Sequence, residues 1–245
     1  MRFLIFLIFL TTPIYTVASE SAEDYFNKAY SYYKKEEFEK GYPLLEKAAH
    51  LNHPVAQLTL GIQFKYGVTI QQDYKKAKYW LKKASEQNQT TAQYELALLY
   101  YHGLGTKQDF GAARRLLDKL SHEGKVEAQY LLGWIYLDGK GIEKDPYAAK
   151  EWFEKSASQG YSHSQTMLGV MYHNGTVLKQ NYFLAKEWYE KAAIQNNPIA
   201  QHGLGVLYLT GQGTRSNVLI AKEWFGKACD NKLQKGCDSY KKLNN

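Results

Sequence analysis

Seven histidines and two cysteines are the side chains of this sequence best suited to hold a metal, attack a carbonyl or relay a proton. His50 and His53 lie close together, at a helix end and the turn after it. No acidic or cysteine ligands accompany them at the spacing a zinc site requires, so no metal is expected there. His102 and His122 fall at loop or helix-end positions and His163 opens a helix, ordinary places for a polar residue. His173 and His202 fall on helix faces from which they could approach one another. Such a pair can relay a proton, or simply offer polar contacts to a bound partner. Cys229 and Cys237 stand eight residues apart near the end of the chain. In an oxidising compartment that spacing suits a disulfide, and otherwise it leaves two free thiols. No nucleophile-elbow, phosphate-loop or zinc-protease motif occurs. The sequence assigns no catalytic residue, cofactor or metal, and its chemistry points to binding.

The elements that position these residues repeat every 36 residues. Ala56-Gln57, Ala92-Gln93, Ala128-Gln129, Ser164-Gln165 and Ala200-Gln201 mark the period, and Leu60, Leu96, Leu132, Leu168 and Leu204 keep it. So do Gly67, Gly103, Gly139, Gly175 and Gly211. A fixed period of this length means stacked units, each burying its apolar face against its neighbours. In the unit that starts at Pro54, Ala56, Leu60 and Phe64 share one face at helical spacing, and Gly67 ends the helix. Gly61 returns as Gly133, Gly169 and Gly205, with Ala97 in the second unit, which implies close approach of a second helix. That second helix starts at the capping column Asp73, Asp109, Asp145, Asn181 and Asn217. Within it, Trp80, Trp152, Trp188 and Trp224, with Leu116 in the odd unit, are expected as core wedges between helices.

The two ends and the charge bound what the stack can be. Met1-Arg2, the apolar run Phe3 to Leu10 and the small-residue site Val17-Ala18-Ser19 read as a cleaved secretory leader over residues 1–19. An uncleaved anchor is the alternative, although the run is shorter than the roughly 20 residues that spanning needs. Cleavage after Ala18 and after Ser19 both fit, and the expected product is exported to the periplasm or secreted, with no membrane insertion. The formal charge is +7, and +6 without Arg2. Lysine and glutamate alternate, as in Lys150-Glu151, Lys186-Glu187 and Lys222-Glu223, which describes a solvated helix face. No nucleic acid partner is expected.

The pattern Ala-Gln-x-x-Leu-Gly, then Tyr, Gly-x-Gly, Asp, Ala-x-x-Trp and Lys-Ala resembles the Sel-one-like repeat (SLR), a relative of the tetratricopeptide repeat. The resemblance implies an all-α, right-handed α-solenoid of stacked antiparallel helix pairs. It divides the chain into an N-terminal capping unit (20–53), five repeats (54–89, 90–125, 126–161, 162–197, 198–233) and a C-terminal cap (234–245). Thr69 and Val177 interrupt the Gly-x-Gly loop. A Cys229–Cys237 bridge would staple the last repeat. The pair also resembles that of cysteine-rich Sel-one-like proteins, for which penicillin binding and weak β-lactamase activity would be the alternative function, but the likeness is confined to this one end.

In this family the first helices line the concave surface. Opposite the Leu60 column, about 100° per residue around the helix, run Leu58-Tyr94-Tyr130-Thr166-His202, Ile62-Leu98-Trp134-Val170-Val206 and Lys65-Tyr101-Leu137-His173-Leu209. Exposed aromatic patches mark interaction sites. The expectation is a monomeric, exported, non-enzymatic scaffold whose groove, lined by Tyr94, Tyr101, Tyr130, Trp134, His173 and His202, takes a protein or peptide partner and regulates an envelope or host protein.

Overall fold

The computed structural model describes residues 20–175 and 178–244. The expected leader, both of its candidate cleavage positions and Val177 lie outside the described residues. Helices α1 (Ala22–Tyr33) and α2 (Phe38–His50) form a leading pair. Five pairs follow: α3 (Pro54–Tyr66) with α4 (Tyr74–Glu86), α5 (Thr90–His102) with α6 (Phe110–His122), and α7 (Val126–Asp138) with α8 (Pro146–Ser158). Then come α9 (Ser162–Asn174) with α10 (Tyr182–Ala193) and α11 (Pro198–Thr210) with α12 (Val218–Asp230), before the closing α13 (Gln234–Lys242). Each helix packs on the one before it, and no strand occurs among the described residues.

Local chemistry sets the boundaries. The carboxylate of Asp73 accepts from the backbone N–H groups of Lys75 and Lys76, and Asp145 does the same for Tyr147 and Ala148. Asp109, Asn181 and Asn217 cap α6, α10 and α12 in the same way. These side chains satisfy N–H groups that a helix start leaves without partners. Each first helix of the five pairs ends on the recurring glycine, at φ between 66° and 74°, a conformation that strains any residue with a Cβ.

Where the two helices of a pair meet, one of them has no side chain. A Cβ added to Gly133 would lie 2.6 Å from the Phe153 ring, one on Gly169 2.5 Å from Tyr189, and one on Gly205 2.5 Å from Phe225. Gly61 faces Leu81 in the same way, at 2.6 Å, and Ala97 shares a core cluster with Leu117. The wedge is therefore the column Leu81, Leu117, Phe153, Tyr189 and Phe225, all but fully buried.

This corrects the expected role of the tryptophans. Trp80 is buried, but Trp152, Trp188 and Trp224 are only half-buried. They stand one residue, hence about 100° around the helix, from the wedge column. There two of them face the end of the preceding second helix: Trp80 lies 5.0 Å edge-on from His50, and Trp152 lies 5.5 Å from His122. The Lys155, Lys191 and Lys227 ammoniums lie over the rings of Trp152, Trp188 and Trp224 at 4.0, 4.2 and 4.2 Å, which a ring's negative face favours.

The glutamine of the recurring Ala-Gln is a buried strut between units. Gln129 donates to the Ser121 carbonyl of α6 at 3.0 Å and accepts from Gln159, just past α8, at 2.9 Å. The same two bonds recur at Gln57, Gln165 and Gln201, with Asn231 as the last donor. In the second unit the donor position holds Glu123, which has no amide N–H to give. The Gln93 carbonyl oxygen is buried without a partner.

First helices of successive units approach one another (α3 and α5, α9 and α11, α11 and α13), and no pair of second helices does so to the same degree. The stack therefore curves with its first helices on the inside. At its end, a Cys229–Cys237 disulfide with Cα atoms 4.5 Å apart ties α12 to α13.

A Leu132→Ala substitution opens a cavity at a fully buried site and is expected to cost roughly 2–5 kcal/mol. Glu123→Gln should restore the missing strut to Gln93 and add about 0.5–1.5 kcal/mol. Urea unfolding midpoints check both. An unchanged midpoint for Glu123→Gln would show that the Gln93 oxygen has no need of that donor.

Candidate functional site

The inner face of the curve carries the rows that the helical phase singles out. At its centre, α7 presents Tyr130 and Trp134 one turn apart, with ring centroids separated by 6.3 Å. Tyr130 is held from three further directions: Phe153 of α8 at 5.9 Å, Tyr161 at the start of α9 at 5.4 Å, and His163 at 5.9 Å. Trp134 lies 6.2 Å edge-on from Phe153. The wedge residue that locks α7 to α8 thus also supports the aromatic floor of the groove.

Tyr94 lies on the neighbouring α5, half-buried, with the Lys125 ammonium 5.5 Å from its ring centroid. Burial, reinforced by Tyr161 and Glu127, pushes its phenol well above the ordinary tyrosine range. Burial, then Tyr130 and Glu127, also raises Tyr161. The sequence puts His163 at a helix opening and does not single out Tyr161; their approach to Tyr130 is not foreseen because they belong to the helix entrance of the next unit. Periodicity within one helix does not report them.

Tyr101 does not line the groove. It is buried, its ring 5.4 Å from Phe110, and its hydroxyl accepts from the Lys140 ammonium at 2.7 Å. Lys140 also pairs with Asp138 at 2.9 Å. The hydrogen bonds to Tyr101 and Asp138 raise the lysine pKa. The loop of the third repeat reaches back over the end of α5 and turns Tyr101 into a tie between units. One unit earlier in the same column, Lys65 makes a largely buried ion pair with Glu95 of α5 at 2.5 Å.

The two histidines are separate polar contacts. His173 sits 5.5 Å from Tyr182 and 6.2 Å from Tyr189, and burial holds its imidazole below the usual range. His202 lies 5.2 Å from Phe225 and 3.3 Å from the Ser239 hydroxyl. Burial, then the Lys235 charge, lowers it. No hydrogen bond joins His173 to His202 among the described residues. Among the described residues no third group hydrogen-bonds the His202 imidazole to orient it toward Ser239, an arrangement typical of nucleophile–base pairs. No cluster of three or more His, Cys, Asp or Glu side chains capable of holding a metal occurs among the described residues. No described helix is long and apolar enough to cross a membrane.

A curved stack of helix pairs, each packed on the one before it, defines an α-solenoid. The Sel1 repeat model matches residues 54–89, 90–125, 126–161, 162–197 and 198–233, and the chain belongs to the Sel1 repeat family. Repeats of this family are in general non-enzymatic scaffolds for protein–protein interaction.

Solved structures similar to it include a protective antigen of uropathogenic Escherichia coli with an SLR fold. That antigen is 26% identical with a TM-score of 0.80, over 88% of this chain and 47% of its own. A Sel1 repeat protein from Oxalobacter formigenes is 28% identical with a TM-score of 0.79, over 92% of this chain and 66% of its own. The chain thus spans about half the length of the first and just under two thirds of the second. An immunity protein from Pseudomonas aeruginosa shares the fold at 17% identity and a TM-score of 0.52, over 89% of this chain and 83% of its own. No curated protein matches the chain.

His102, His173 and His202 all have lowered pKa values in the fold, burial being the first cause of each. Unfolded, they titrate near about 6.5. As pH falls through that value the unfolded chain takes up protons that the fold resists, so stability is lost. The melting temperature is expected to drop from pH 7.5 to pH 5.5, and less steeply for His173→Gln/His202→Gln. Equal slopes would show that these imidazoles do not govern the loss.

Proposed function

We propose that the inner face of α5 and α7, with the entrance of α9, is the binding surface of an exported scaffold that takes a segment of a partner protein. The observation that carries this reading is the setting of Tyr130. Four rings hold it from different sides, yet it is not fully buried. A rigid, partly open aromatic floor offers large contact area without ordering flexible side chains on binding, which is why tyrosine and tryptophan dominate binding hot spots. Tyr94 and Trp134 extend the floor on either side, and Lys125 with Glu127 gives it a polar rim. His173 and His202 lie further along the same face and would contribute specificity more than affinity. The expected N-terminal leader supports export as part of this reading, and an envelope or host protein would then be the natural partner.

The test is affinity capture with residues 20–245 as bait, beside a Tyr94→Ala/Tyr130→Ala variant shown to melt within a few degrees of the parent. Envelope and secreted extracts are the source. A protein retained by the parent and depleted on the order of tenfold by the variant, or about 1.4 kcal/mol, is the expected result. Retention of the same proteins at equal yield on both baits would move the binding surface elsewhere.

A further inference from the structure

The outer face of the stack has one gap that the chain itself shows how to fill. Between α4 and α6 runs an open cleft of about 260 Å³. Its floor is Leu96, Tyr100, Ala112 and Leu116, and its rim is Lys82, Ser85, Glu86 and Arg115. Leu116 is the position at which every other full repeat carries tryptophan. The equivalent grooves hold Trp80 against His50 and Trp152 against His122, the last residues of the preceding second helices. The residue that would meet such a ring in the odd unit is Glu86, the last residue of α4, and it lines the cleft. The gap is thus a vacant tryptophan seat.

A second change falls in the same turn. The residue before the tryptophan is Glu151, Glu187 and Glu223 in the last three repeats, and here it is Arg115. Arg115 is exposed and makes no ion pair among the described residues, whereas the nearby Lys82 is paired with Glu86 at 3.9 Å. Loss of the indole and reversal of the adjacent charge leave an apolar seat beside a free guanidinium, which favours carboxylates as hydrogen-bonding partners.

We propose that this cleft is a second docking site, which takes a tryptophan side chain flanked by an acidic residue from a partner polypeptide. The occupant would supply the Glu-Trp pair that the second repeat lacks. The site lies on the face opposite the aromatic groove, so it stands or falls independently of that groove.

The probe is N-acetyl-Glu-Trp-amide, titrated into the ¹⁵N-labelled chain and followed by amide chemical shifts. Saturable shifts confined to Glu86, Leu96, Tyr100 and Leu116 and their neighbours are expected, with weak, millimolar-range affinity. Leu116→Trp fills the seat with the chain's own side chain, as four sister repeats do. It should raise the melting temperature and weaken the probe on the order of tenfold or more. Arg115→Glu, at an exposed position, keeps the fold intact. It should weaken the Glu-Trp probe while leaving N-acetyl-Trp-amide nearly unaffected. Absence of saturable shifts, shifts only at Tyr94 and Tyr130, or equal binding by Leu116→Trp would each overturn the proposal.

Discussion

Everything in this molecule depends on how closely the two helices of a repeat approach. At Gly61, Gly133, Gly169 and Gly205 there is no room for a Cβ, because a leucine or aromatic side chain of the second helix occupies the space. Interiors packed at this density do not yield continuously, so the contact fixes the angle and depth of each pair. Successive pairs then stack in a single register. Inner-face residues such as Tyr130 and Trp134 inherit their positions from it, since both rest against Phe153, the wedge of their own repeat.

The polar skeleton repeats as faithfully as the apolar one. A buried glutamine in four of the five units bonds backward to one second helix and accepts from just beyond the next, so each of these amides ties three helices together. A group of this kind is costly when half satisfied. Only the second repeat leaves its glutamine oxygen without a partner among the described residues. The same repeat departs from the pattern at Ala97, Arg115, Leu116 and Glu123. Departures gathered at four positions of one unit are of the kind that functional sites commonly carry. Tyr94, at one edge of the proposed groove, and the cleft beside Leu116 both belong to this unit.

Much of the architecture was legible because a repeat prints the same answer several times. The period, the capping aspartates and asparagines, the helix-ending glycines and the close approach at Gly61 follow from residue types alone. The partner in that approach did not. Leu81, Leu117, Phe153, Tyr189 and Phe225 share size and burial but not identity, while the neighbouring tryptophans share identity and so looked like the structural column. The groove was legible only as a set of helix faces. Helical phase put Tyr101 with Tyr94 and His173, but a loop from the following repeat folds over it and bonds its hydroxyl. Tyr161 and His163 reach the floor from a helix entrance, which a reading one helix at a time does not connect to Tyr130.

The central claim is that the missing side chain at the crossing sets the stack. The second repeat supplies its own comparison, since Ala97 there accompanies Leu117 in place of glycine and a ring. The most direct measurement is a double-mutant cycle at the crossing of α7 and α8, read from unfolding free energies of Gly133→Ala, Phe153→Leu and the two combined. The account predicts that Gly133→Ala alone is strongly destabilising and that adding Phe153→Leu recovers much of the loss, a coupling on the order of 1–3 kcal/mol. A harmless Gly133→Ala, or two losses that simply add, would contradict it.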